Sequence, residues 1–172
     1  STTIDDPNLW HPETPYLYKV ITNVIDNGVL VDNYETTIGI RSVSFSKAEG
    51  FKINGQPYRW RGANSNSGYP YIGVSISNEA IFRDVKRLRE EGFDYLRPSP
   101  EARPCNPAYL DACDKLGMLV LDPIHSNDWN NTTTYKERCY QMMRDLIRRD
   151  RNHPSVIAWE LSLNEKWWDD PA

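Results

Sequence analysis

The hydrophobic and polar positions of the chain change their period near Ser44. Before it, apolar and polar residues alternate, and aromatic and β-branched types are frequent, as is typical of half-buried strands. The alternation predicts three strands, at Tyr16–Val24, Val29–Val31 and Glu35–Ile40, with a turn at Asp26-Asn27-Gly28. Because three strands cannot form a stable sandwich alone, we interpret residues 1–43 as the last strands of an all-β domain.

From residue 44 onward the pattern predicts strands that alternate with helices. Phe51–Trp60 is predicted to be a hairpin around the turn Asn54-Gly55. Helical spacing of apolar residues predicts helices at Asn78–Glu91, Pro107–Leu116 and Thr134 to about Arg151. Ser77 or Asn78 caps the first helix, and the capping box Thr134-x-x-Glu137 opens the third. The apolar segments Phe93–Arg97, Met118–Leu121 and Ser155–Leu163 are predicted to be strands.

This alternation predicts a parallel sheet that is buried on both faces. Both a (β/α)₈ TIM barrel and a doubly wound sheet fit it. No Gly-x-Gly-x-x-Gly motif follows any of the strands, which disfavours a nucleotide-binding doubly wound sheet. A complete barrel requires ~250 residues. Residues 44–172 are therefore predicted to form the N-terminal half of a TIM barrel.

Composition and charge limit the kinds of binding partner that are expected for the chain. The chain is 39% hydrophobic with a net charge of −4, as expected for a globular protein. The cluster Arg144, Arg148, Arg149 and Arg151 is interleaved with Asp145 and Asp150, and we interpret it as a solvated helix face. Neither nucleic acid nor a membrane is an expected partner, since no basic patch and no apolar run of ~20 residues occurs. The spacing of His, Cys, Asp and Glu predicts no metal site, and no cofactor is expected.

Polar residues follow each predicted strand of the barrel, where catalytic side chains of such barrels lie. They are Asn64 and Asn66, then Arg97, then Asp122 and His125, then Asn164 and Glu165, with Trp167 beside the last pair. Hydrogen-bonding groups beside an aromatic ring suit a sugar, which has an apolar face and hydroxyl edges. These residues therefore predict a carbohydrate as the ligand.

Two carboxyl groups near the fourth strand receive different interpretations. Glu165 lies beside indole rings, and partial desolvation favours the protonated form that can protonate a glycosidic oxygen. The alternative is that Glu165 caps a following helix or pairs with Lys166. Glu160 lies inside the apolar strand and needs a partner. Arg61 or Arg97 can serve, so a structural ion pair is the preferred interpretation for Glu160.

An ordered set of short segments covers nearly all of the chain. It comprises Leu9–Tyr18, Gly39-Ile40-Arg41, Phe51-x-Ile53-Asn54-Gly55, Arg61-Gly62-Ala63-Asn64, Cys113-Asp114-x-x-Gly117, Arg149–Trp159 and Asn164-Glu165. In order and spacing this set resembles glycoside hydrolase family 2, which includes β-galactosidases, β-glucuronidases and β-mannosidases. The resemblance implies a retaining β-glycosidase in which an immunoglobulin-like β-sandwich precedes a (β/α)₈ barrel. Residues 1–43 then end the sandwich, and residues 44–172 begin the barrel.

The resemblance also implies roles for individual residues. Glu165 matches the general acid/base of the family, and Asn164 matches the residue that contacts the sugar 2-hydroxyl. Asn64, Asn66, Arg97 and Trp167 are the further candidates for substrate binding. The family's nucleophile is a glutamate on a later strand, beyond Ala172, so the 172 residues alone are expected to be inactive. The remainder of the barrel, or a self-associating partner chain, is expected to cover the open sheet edge.

Some positions depart from the pattern of the family. The family usually has histidine at the position of Asn66, and Ser-His-Tyr-Pro or a similar run after Arg97, where this chain has Pro98–Pro104 with extra length. The carboxylate that β-galactosidases use for a magnesium site after the third strand is replaced near Pro123. These departures leave the sugar and the metal dependence open. They also keep a second hypothesis open, a noncatalytic carbohydrate-binding or scaffold protein with the same fold. A doubly wound domain that binds another small ligand is the third.

Overall fold

The computed structural model describes residues 3–65, 68–98, 105–124 and 132–161. Within them, the chain forms nine strands and three helices. Among the described helices, none combines the length and the apolarity that crossing a bilayer requires.

Strands β1 (Tyr18–Asp26) and β2 (Val29–Ile38) form an antiparallel hairpin. Asn27 and Gly28 turn the chain with φ of 48° and 80°, the left-handed conformation that a two-residue hairpin loop requires. The prediction of two strands between Val29 and Ile40 is wrong, because β2 runs through the polar residues 32–34 without a break. Most of the hairpin is exposed, so polar side chains do not interrupt its pairing.

Strands β3 (Val43–Ser46), β4 (Gly50–Ile53) and β5 (Gln56–Pro57) form a small antiparallel sheet. The predicted Asn54-Gly55 turn is confirmed, with φ of 51° and 77° at the two positions. Phe51 and Ile53 of β4 pack with Trp10 and Leu119 in one buried cluster. This sheet therefore packs against Leu119, which lies far from it in sequence.

Strands β6 (Gly62–Ser65), β7 (Tyr95–Pro98), β8 (Leu119–Pro123) and β9 (Val156–Glu160) form a parallel sheet in sequential order. Helices α1 (Asn78–Glu90), α2 (Pro107–Leu116) and α3 (Thr133–Asp150) connect them in turn. Each connection is a β-α-β crossover, as predicted.

The three helices pack on the same face of the parallel sheet. Leu96 and Val120 contact the apolar sides of α1 and α2, and Ile124 and Trp159 contact that of α3. A doubly wound sheet reverses its strand order and carries helices on both faces. Sequential order with helices on one face is instead the arrangement of a TIM barrel, so these four strands are the first half of a barrel.

The residues that cap the helices agree with the prediction for α1 and differ from it for α3. Ser77 caps α1 as expected, because its hydroxyl oxygen accepts a hydrogen bond from the Ala80 amide at 3.2 Å. The capping box that starts at Thr134 is wrong. Thr132 is the cap of α3 and accepts from the Tyr135 amide at 3.3 Å. Three consecutive threonines offer the same hydroxyl group, so the sequence does not indicate which of them is the cap.

Gly117 gives a first testable prediction. It ends α2 with φ of 71°, and a Cβ atom there would lie 2.0 Å from the carbonyl oxygen of Pro12. We expect Gly117→Ala to lower the free energy of unfolding by about 3 kcal/mol, since a left-handed backbone costs ~1–2 kcal/mol and overpacking adds ~1–3 kcal/mol. Thermal unfolding measures the loss as a lower Tm.

Gly28→Ala is the matched control. Gly28 also has a positive φ, of 80°, but a Cβ atom there meets nothing within 4 Å. Gly28→Ala is therefore expected to lower the free energy of unfolding only by the cost of the left-handed backbone, about 1–2 kcal/mol. Equal losses of Tm in the two variants would contradict the contact between Gly117 and Pro12.

Candidate active site at the carboxyl ends of the parallel strands

Asn64 and Asp122 were predicted to follow their strands and Arg97 to end its strand, but all three lie within the parallel strands. Asn64 belongs to β6, Arg97 to β7 and Asp122 to β8. The sequence prediction ended the first strand before Asn64 and the third strand before Asp122. A barrel strand has an inner face that accepts polar side chains near its carboxyl end, so pairing continues past that point.

Strand register sorts these residues between the two faces of the sheet. Successive strand residues point to opposite faces. Because Leu96 and Val120 face the helices, the neighbouring Arg97 lies on the face that carries no helix. Asn64 is the register partner of Arg97, and Glu160 is the partner of Pro123. The structure thus brings Asn64, Arg97 and Glu160 to the inner face of the half barrel.

Arg97 and Glu160 form an ion pair across this face. Arg97 Nε donates to Glu160 Oε2 at 2.7 Å, and the two side chains are only 14% and 20% exposed. The prediction that Glu160 needs an arginine partner is confirmed, with Arg97 in that role. Arg97 Nη2 is buried, and none of the described residues accepts a hydrogen bond from it. Burial, and then the charge of Glu160, raise the pKa of the neighbouring Tyr95.

The other predicted site residues lie outside the described part of the chain. These are Glu165, Asn164, Trp167, Asn66 and His125. Glu165 comes five positions after Glu160, which is the last residue of β9. The roles of these residues remain predictions, and the described residues show only the strand that leads to Glu165.

A buried pair of carboxyl groups, Asp122 and Asp150, was not anticipated. Both residues are fully buried. Burial, and then the neighbouring Asp150, raise the pKa of Asp122 to about 8. Arg149 Nε and Nη2 each donate to Asp150 at 2.7 Å. Two predictions are therefore wrong: Asp122 lies on the helix side of β8, away from the barrel mouth, and Asp150 is not part of a solvated helix face.

A second network lies at the opposite ends of the strands. Asp114 accepts hydrogen bonds from the Ser155 amide at 3.0 Å and from His153 Nδ1 at 2.6 Å, and its carbonyl oxygen accepts from Trp10 Nε1 at 2.9 Å. Burial acts to lower the pKa of His153, but the bond to Asp114 and nearby carboxylates outweigh it and raise that pKa. This network ties the segment around Trp10 to the base of the sheet.

Asp111 completes a group of potential metal ligands with Asp114 and His153. Their ligand atoms lie within 4.8 Å of one another, although the sequence spacing predicted no metal site. Both carboxylate oxygens of Asp114 already accept hydrogen bonds from protein groups. A structural role in the network accounts for Asp114 and His153, and we assign no metal to them.

Comparison with known proteins identifies two matching families along the chain. The profile of Glycosyl hydrolases family 2 matches residues 1–41. That of Glycosyl hydrolases family 2, TIM barrel domain, matches residues 44–169. A beta-galactosidase of Thermoanaerobacter pseudethanolicus is 35% identical over 165 residues, which are 94% of this chain and 22% of that protein. A beta-galactosidase of Bacteroides ovatus is 34% identical over 179 residues, which are 99% of this chain and 21% of that protein.

Solved structures agree with this comparison. A Bacteroides uniformis beta-glucuronidase has a TM-score of 0.84 at 36% identity, over 92% of this chain and 19% of the other. A glycosyl hydrolase family 2 member from Bacteroides cellulosilyticus has a TM-score of 0.78 at 34% identity, over 89% and 20%. The chain thus spans about a fifth of the length of the relatives that it matches.

Proposed function

The chain belongs to glycoside hydrolase family 2, and from that premise we propose that it is the part of a retaining β-glycosidase that carries the acid/base carboxylate. The observation that supports the proposal is the course of β9. This fourth parallel strand pairs with β8, and its last residue, Glu160, reaches Arg97 across the inner face. The chain after Glu160 leads in sequence to Asn164-Glu165. Catalytic groups of TIM barrels lie at this end of the strands.

In this proposal Glu165 protonates the glycosidic oxygen as the bond to the leaving group breaks. It then removes a proton from the water that releases the sugar. A retaining enzyme needs a second carboxylate, the nucleophile, ~5–5.5 Å from the first. Glu160 is not assigned this role, because its carboxylate is already held by Arg97 at 2.7 Å. We propose that the nucleophile is a glutamate outside these 172 residues.

The substrate is a carbohydrate, held by residues at the barrel mouth. Asn164 contacts the sugar 2-hydroxyl, Trp167 packs against an apolar sugar face, and Asn64, Asn66 and Arg97 supply hydrogen bonds. The remainder of the barrel pairs with the free edges of β6 and β9. In this organisation residues 1–43 close an immunoglobulin-like domain, and the barrel begins at residue 44.

Product stereochemistry tests the proposal. The longer polypeptide that carries these residues is expected to hydrolyse aryl β-glycosides, and ¹H NMR of the first product should show the β-anomer, because two displacements retain configuration. The 172 residues alone should release no aglycone, since they lack the nucleophile. Formation of the α-anomer first would rule out the retaining mechanism, and hydrolysis by the short chain would contradict a nucleophile elsewhere.

A noncatalytic carbohydrate-binding protein is the second candidate. It is favoured by Asn66, which stands where the family usually has histidine. This candidate predicts saturable sugar binding by calorimetry without release of product over hours. The sequence ~80–120 residues further along offers another distinction, because a barrel strand there that ends in glutamate supports catalysis.

A further inference from the structure

Three charged residues lie in the four parallel strands: Arg97 in β7, Asp122 in β8 and Glu160 in β9. Asp122 points to the helix side and pairs with Asp150. Arg97 and Glu160 are thus the charged residues of these strands on the inner face. They neutralise one another at 2.7 Å.

This ion pair spans an intervening strand. Arg97 reaches from β7 and Glu160 from β9, with β8 between them. Each side chain is largely buried, and charges that are withdrawn from water require close compensation. Glu160 therefore fixes both the position of the Arg97 guanidinium and the net charge at this part of the mouth.

We propose that Glu160 is a positioning residue for Arg97, and that their neutral pair makes the site select an uncharged sugar over one that bears a carboxylate. This inference rests on the proposed function and adds the class of sugar. The relatives carry names of both kinds, beta-galactosidase and beta-glucuronidase. A galactoside is neutral, whereas a glucuronide carries a carboxylate at its sixth carbon.

A sugar carboxylate that loses its water at this site needs a cation, and the guanidinium of Arg97 is already compensated by Glu160. A neutral hydroxyl carries no charge and does not need such a cation.

Matched pairs of aryl substrates test the inference in the longer polypeptide. A 4-nitrophenyl β-galactoside is compared with the β-galacturonide, and the β-glucoside with the β-glucuronide, so that each pair differs only in the oxidation of one carbon. We expect kcat/KM of the unchanged protein to favour the neutral member by about tenfold or more, which corresponds to ~1.4 kcal/mol for a sugar carboxylate that is desolvated without a free cation.

Glu160→Gln removes the negative charge and keeps an oxygen that accepts from Arg97. It should reduce the preference for the neutral sugar by about tenfold, mainly through a lower KM for the uronide, since ground-state binding is what changes. Glu160→Asp keeps the charge on a shorter side chain. It should keep the preference and lower kcat on both substrates, because Arg97 is displaced.

Glu35→Gln is the control. It breaks a Glu–Lys pair on the exposed β1–β2 hairpin, where Glu35 Oε1 lies 2.8 Å from Lys19 Nζ, and should leave the preference unchanged. A preference for uronides in the unchanged protein would overturn the inference. So would an unaltered preference in folded Glu160→Gln, or a lost one in Glu160→Asp. If no β-glycoside is hydrolysed at all, the proposed function itself fails.

Discussion

Replacing Glu165 by glutamine is expected to lower kcat/KM of the longer polypeptide on alkyl β-glycosides by about 10²–10⁴-fold. That is the usual contribution of general acid/base catalysis. An amide of the same shape cannot donate a proton to the departing oxygen, nor can it take one from water. The protein should still fold, since the change removes a charge without changing volume.

The leaving group distinguishes a catalytic loss from a structural one. A 2,4-dinitrophenolate leaves without protonation, so the first displacement should be much less impaired than with an alkyl substrate. The second displacement then limits turnover because it has lost its base. Azide needs no base, and we expect it to restore turnover of the dinitrophenyl substrate in Glu165→Gln and to yield a β-glycosyl azide.

Glu137→Gln serves as the control for this experiment. Glu137 lies exposed on α3, and its replacement should leave all these rates within a factor of about two, as is usual for surface changes. Unchanged activity of Glu165→Gln on alkyl glycosides would remove Glu165 from the acid/base role. An equal loss on alkyl and dinitrophenyl substrates, without azide rescue, would indicate a structural role.

Much of the fold was predictable because local rules and tertiary structure agree. Gly28, Gly55 and Gly117 each stand where the backbone is left-handed, and the sequence marks each as a turn or helix end. The helical stripes also correspond to α1, α2 and α3. The alternation of strands and helices is compatible with both a barrel and a doubly wound sheet. The sequential strand order and the packing of the helices on one face decide between them.

The candidate site was predictable to a smaller extent. A carboxylate inside an apolar strand signals a buried partner, and this rule identified Glu160 and its arginine. Asp122 is also a carboxylate beside an apolar strand, but its place directly after Leu121 indicated a residue past the end of that strand. Asp150 was misinterpreted for a related reason. Charged neighbours on a helix suggest a solvated face, although a single position among them can point inward.

The Asp122–Asp150 pair makes a prediction about stability and pH. The pKa of Asp122 is raised to about 8 by burial and by Asp150, whereas an unfolded aspartate titrates near 4. The folded state thus retains a proton that the unfolded state releases. The contribution of Asp122 to the free energy of unfolding is therefore most favourable below about pH 4. It decreases as the pH rises to about 8, by up to ~5 kcal/mol, because each unit of pKa difference corresponds to 1.36 kcal/mol.

Asp122→Asn should remove this decline. Its amide can donate to Asp150, and it does not ionise. We expect the Tm of Asp122→Asn to lie near that of the unchanged protein at pH 5 and clearly above it at pH 9. There the unchanged protein holds two buried carboxylates together, and Arg149, which donates to Asp150 at 2.7 Å, compensates only one of them.

Two further variants make the comparison specific. Asp145→Asn alters an exposed aspartate on α3 that accepts from Gln141 at 2.9 Å, and its effect on Tm should be small and independent of pH. Asp150→Asn should lower Tm at pH 5, because it removes the charge that Arg149 faces. Parallel Tm profiles of Asp122→Asn and the unchanged protein from pH 5 to pH 9 would show that Asp122 is ionised throughout. The partner that stabilises that charge would then have to be sought on α3 or in the adjoining loops.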